Sequence, residues 1–67
     1  MKNWDLNKRD YIETPNNIKN FIKEIETICK KYNLSISHED SHGAFIITKY
    51  DDTNIKWLND CLIDLVG

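Results

Sequence analysis

The sequence predicts a small α+β domain in the order α-β-β-α, with two helices packed on a β-hairpin. Two observations predict it. Apolar residues recur at helical spacing on both sides of residues 34–50, and inside that stretch the period changes to two. The chain has 67 residues, which makes one domain, 1–67. At this size only about 60% of the unfolded chain's surface is hidden on folding, so a staple or a partner is expected.

The first fourteen residues carry Trp4, Leu6, Tyr11 and Ile12 among charges. Asn7 followed by Asp10 resembles a cap with an acid three positions on, which predicts a helical turn near 8–12. Trp4 and Leu6 are then expected to lie over the core as an extended lid.

The first helix is predicted over 15–32. Thr14-Pro15 reads as an N-cap and first-turn pair. Ile18, Phe21, Ile22, Ile25, Ile28, Cys29 and Tyr32 form one broad apolar face. Lys30 and Lys31 suit the last turn, and Asn33 suits a left-handed residue just past it.

Leu34-Ser35-Ile36-Ser37-His38 alternates, with Leu34 and Ile36 on one side and the serines on the other. Ala44-Phe45-Ile46-Ile47-Thr48-Lys49-Tyr50 is β-branched and aromatic, and Gly43 fits the left-handed position that rejoins a hairpin. Asp51 or Asp52 caps a second helix, predicted to bury Ile55, Trp57, Leu58, Cys61, Leu62, Leu65 and Val66. Lys56 and Asp60 mark its outer face. The second strand is apolar on both faces, Phe45 and Ile47 against Ala44 and Ile46. One face is therefore left for the N-terminal segment or for a second chain, and Ala44–Ile47 becomes the candidate partner or dimer surface.

Composition narrows the function classes. Nine basic against eleven acidic residues leave no domain-wide basic footprint, which argues against nucleic acid; the row Lys19, Lys23, Lys30 is interrupted by Glu26. The longest apolar run, Ala44–Ile47, is far too short for a membrane span. The N-terminus has no apolar leader core, so a cytoplasmic chain with reduced thiols is expected, Cys29 and Cys61 packing as small hydrophobes. Ten isoleucines, eight lysines and eight asparagines against one arginine suggest an AT-rich genome.

Both histidines fall in the hexapeptide His38-Glu39-Asp40-Ser41-His42-Gly43. It matches the zinc-protease pattern His-Glu-x-x-His, whose chemistry needs both histidines on one face of a helix. Strand-forming flanks on both sides argue against that reading. Two uses remain open: a hairpin tip made by Asp40, Ser41 and Gly43, or a ligand site for a phosphorylated small molecule. His38 and His42 are weak metal candidates. No catalytic set and no cofactor motif is present, so no enzyme is expected.

The stretch Leu34–Ile47, followed by Asn54-Ile55-Lys56-Trp57-Leu58, resembles small uncharacterised proteins of bacteriophages and prophages in low-GC Gram-positive bacteria. The likeness covers residues 14–62. It implies a chain that works by sticking to something inside the bacterial host cell. The resulting expectation is a non-enzymatic binding protein, phage-encoded and homodimeric. It would inhibit a host or anti-phage defence protein by direct contact. The alternatives are sequestering of a nucleotide or small anion by the His38–Gly43 loop, and a metal-dependent hydrolase using the same loop.

Overall fold

The N-terminal fourteen residues form a β-hairpin, not a lid followed by a helical turn. In the computed structural model, which describes residues 1–38 and 43–66, β1 (Lys2–Asp5) pairs antiparallel with β2 (Asp10–Glu13). Asp5 sets the turn. Its Oδ1 accepts the N–H groups of Asn7 and Lys8 at 2.8 and 3.0 Å, and its carbonyl accepts that of Arg9 at 2.8 Å. Arg9 is left-handed, with φ 54°. A four-residue loop closed this way is common in hairpins. Trp4 lies opposite Tyr11, and their rings meet edge to face at 5.1 Å, a favourable cross-strand pair.

α1 (Asn16–Tyr32) follows, with Pro15 at its N-cap. Thr14 is not the cap. It is buried, and its hydroxyl donates to Asn3 Oδ1 in the interior. Asn33 ends the helix as expected, in the left-handed region, with its N–H on the carbonyls of Cys29 and Lys30.

β3 (Leu34–His38) and β4 (Phe45–Lys49) form the predicted antiparallel hairpin, Ile36 opposite Ile47 and His38 opposite Phe45. It remains a separate two-stranded sheet, so the N-terminal segment does not complete it. α2 (Asp52–Asn59) is capped by Asp51, whose Oδ1 accepts the N–H of Thr53 at 2.7 Å. Lys56 and Asp60 meet across one turn at 2.6 Å.

The second helix was expected to run to Val66, and it stops at Asn59. The reason lies in Asn3. Its Nδ2 donates to the carbonyls of Asn59 and Cys61 at 2.9 and 2.8 Å, holding them to β1 so that they are not left to a further helical turn. The tail then runs extended. Ile63 makes a parallel bridge with Asp5, through Leu6 N–H to Ile63 O and Ile63 N–H to Trp4 O, both 2.9 Å.

Both helices lie against β3 and against each other. The apolar residues buried among those described are Ile22, Cys29, Ile55 and Ile63, beside the polar Asn3, Asp5, Thr14, Ser35 and Asn54. So small an apolar core leaves much outside it. The chain exposes 5441 Å², where a compact protein of 7.9 kDa exposes about 4,400 Å². Its radius of gyration, 12.8 Å, likewise exceeds the roughly 11 Å of a compact chain of this length. No described helix is long and apolar enough to cross a membrane.

Candidate binding cleft

Much of the exposed apolar surface lies between α1 and the β3–β4 hairpin; the tail carries more, for Leu62, Leu65 and Val66, expected in the core, are exposed. At 100° per residue the apolar stripe of α1 spans an arc of about 120°. Ile22 and Cys29, on one margin, are buried, while Phe21, Ile28 and Tyr32, on the other, are more than half exposed. Ile18 and Ile25 lie between in both angle and burial. The stripe was expected to be a single core face; a two-stranded hairpin is too narrow to cover it.

The hairpin presents a matching apolar surface. Leu34, Ile36 and Ile47 share the face that carries His38 and Phe45, and all five are exposed. The opposite face is the polar one. Ser35, 1% exposed, donates to Lys49 O at 2.8 Å and accepts from Asn54 Nδ2 at 2.9 Å. Asn54 also reaches Thr48 Oγ1 at 3.3 Å. Hydrogen bonds thus fasten α2 to the hairpin through the serine side, which turns the isoleucine side outward.

Two cavities open along this surface. One, about 290 Å³, lies among Ile25, Ile36, Phe45, Ile55, Trp57 and Leu58. The other, about 270 Å³, lies among Ile25, Ile28, Tyr32, Leu34, Ile36 and Ile47. Ile25, Cys29 and Ile36 line both, so the two form one cleft with Ile36 as the ridge between its halves. At the α2 end the His38 and Trp57 rings lie 5.3 Å apart, tilted by 45°. Trp57 was expected in the core and is half exposed, because α2 meets the hairpin through Asn54 and leaves the indole at the cleft's mouth.

Of the candidate loop, His38 is an exposed strand end beside Trp57, and Gly43 is left-handed with φ 72°. Glu39, Asp40, Ser41 and His42 lie outside the described residues. Among those described, no group of three or more His, Cys, Asp or Glu side chains could hold a metal ion. Of the candidate surface, Phe45, Ile46 and Ile47 are all exposed, as is Ala44. Cys29 is buried and Cys61 half-buried, both as free thiols. Burial pushes the Cys61 thiol above its ordinary pKa, with Asp60 adding to the shift.

Sequence reasoning missed the contribution of α1 and of Trp57 to this surface. The signal was present in the width of the α1 stripe. No family model, no curated protein and no solved structure matches this chain.

Proposed function

We propose that the chain is a binding protein that acts by direct contact, seating an apolar segment of another protein in the cleft between α1 and the β3–β4 hairpin. The observation behind the reading is that Ile28, Tyr32, Leu34, Ile36 and Ile47 surround one open cavity while each is more than 40% exposed. A continuous apolar groove with few polar groups is what recognition of an amphipathic helix or strand uses. Trp57 and Tyr32 at its two ends are of the residue types that dominate binding energy at protein interfaces.

In its finer form the reading is of a phage-encoded inhibitor of a host or anti-phage defence protein. That form draws on the resemblance of residues 34–47 and 54–58 to small phage and prophage proteins. The chain would work by occupying a surface its target needs.

The test is affinity capture from a lysate of a low-GC Gram-positive bacterium, with wild type and Tyr32→Ala run side by side. Tyr32 is 61% exposed, so the variant is expected to fold with an unchanged melting temperature. A stoichiometric partner held by wild type and lost by Tyr32→Ala supports the cleft. No stoichiometric partner at micromolar protein, or one held equally by both, overturns it.

A further inference from the structure

The open edge of β4 borders the cleft, since Phe45 and Ile47 line its two halves. Tyr50 N–H donates to Asn33 O at 3.0 Å, in register with the pair Leu34 and Lys49. Hydrogen-bonded pairs alternate along an antiparallel ladder, so Ser35 with Thr48 and Ser37 with Ile46 are the bonded pairs. The N–H and C=O groups of Phe45 and Ile47 therefore point away from β3. Nothing in the two-stranded sheet pairs with them.

Among the described residues of this edge, the usual protection is confined to Lys49 at one end. Exposed strand edges are normally blunted by charge, proline or a bulge. β2 has the first of these, with Asp10 and Glu13 at its two ends, and β1 is covered by the tail at Ile63. β4 offers Phe45-Ile46-Ile47-Thr48 without a charge until Lys49. Phe45 is 78% exposed and Ile47 62% on one face, with Ile46 42% exposed on the other.

We propose that two copies of the chain pair antiparallel through β4, about a two-fold axis at Ile46, into one four-stranded sheet in the order β3-β4-β4-β3. In that register Phe45 of each copy bonds to Ile47 of its partner, using the four unpaired N–H and C=O groups that each strand presents. Each Phe45 stands across from an Ile47, an aromatic and β-branched pair of the favourable kind. Ile46 faces Ile46, Ala44 faces Thr48, and Lys49 lies across from Gly43, so no like charges oppose. A register one residue on, about Ile47, would set Lys49 against Phe45. The side chains this pairing would cover include Phe45 and Ile47, 78% and 62% exposed. A self-complementary strip around a two-fold axis is also the commonest way a small chain closes an assembly.

The pairing rests on the backbone edge of β4, and the measurements separate it from binding in the cleft. Light scattering across micromolar to millimolar concentration is expected to give twice the chain mass of 7.9 kDa. A monomer throughout overturns the proposal. Ile46→Lys sets two ammonium groups opposite each other and is expected to give a monomer with unchanged far-ultraviolet circular dichroism; a folded variant that remains a dimer overturns it. Tyr32→Ala, in the cleft, is expected to leave the mass doubled. Cross-linking covers the case in which Ile46→Lys fails to fold. In a Cys61→Ser background, Ile46→Cys is expected to oxidise to a disulfide dimer, since non-bonded cross-strand pairs have Cα atoms about 4.5 Å apart, within disulfide reach. Phe45→Cys, displaced from the axis, is expected to cross-link at least ten-fold more slowly. Equal rates, or no cross-link at residue 46, overturn the register.

Discussion

Asn54 donates from Nδ2 to Ser35 Oγ at 2.9 Å, and through this contact the first turn of α2 is tied to the start of β3. Both residues are buried, at a place where helix-on-sheet packing usually puts hydrophobes. The serine hydroxyl passes the connection on to Lys49 O at 2.8 Å, so one short chain of hydrogen bonds joins three elements.

Asn54→Ala is expected to lower stability by about 1–3 kcal/mol, because a buried hydroxyl loses its donor. For a domain this small, each kcal/mol moves the melting temperature by about 4–8 °C. Adding Ser35→Ala should cost less than the sum of the two single changes, since removing both partners leaves less unsatisfied. Thermal denaturation of the four proteins checks this; strict additivity would show the two residues to be uncoupled.

Asn3 holds the tail, and Asn3→Asp should be worse than Asn3→Ala. The carboxylate would face the carbonyls of Asn59 and Cys61 while buried to within 2% of full cover. Removing one buried donor costs about 1–3 kcal/mol, and a buried charge costs more. The carboxyl's pKa would be raised in the folded state, so stability is expected to recover as pH falls and the group protonates. A melting temperature of Asn3→Asp that does not rise between pH 7 and pH 4, relative to wild type, would contradict the assignment.

Alkali should weaken the fold. Burial raises the pKa of Cys61 above the ordinary 9.0, and burial followed by the Asp52 carboxylate raises that of Tyr50 above 10.0. A raised folded pKa means the folded state holds its proton longer. The stability it contributes is complete below the unfolded value and is lost as pH climbs through the folded one. Denaturant midpoints are expected to be flat from pH 7 to about 9 and to decline above. In Cys61→Ser the decline should begin nearer pH 10.

Gly43 has φ 72° and open space where a Cβ would stand, so any cost of a side chain there is backbone strain alone. Gly43→Ala should lose about 1 kcal/mol and Gly43→Asn less, asparagine being the better tolerated in the left-handed region. Equal melting temperatures for Gly43→Ala and wild type would show that the residue leaves that region in solution.

The parts of the fold that sequence revealed are those settled within a few residues. Asn33 as a left-handed terminus, a cap at Asp51 or Asp52 and the hairpin over 34–50 follow from side chains close to the backbone they bond or shape. The N-terminal hairpin was hidden because its signals, the Asp5 turn and the Trp4–Tyr11 pair, sit in strands of four residues among charges. The end of α2 was hidden for another reason. Cys61, Leu62, Leu65 and Val66 continue the helical period, and what overrides it is Asn3, nearly the whole chain away. The Trp57 side of the cleft was illegible on the same ground: exposure of a periodic residue depends on which neighbour arrives, and here Asn54 and Ser35 decide that.

The parallel bridge between Ile63 and Asp5 has a mechanical consequence. Tension applied at residues 1 and 66 pulls β1 and the tail past each other lengthwise, because parallel neighbours loaded at opposite ends slide. The two Ile63 backbone bonds and the paired Asn3 contacts would then take the load together and break as a set. Pulled instead from residues 34 and 49, the second hairpin would open one rung at a time. The same molecule should resist force strongly along one axis and feebly along another, with Asn3 as the pin.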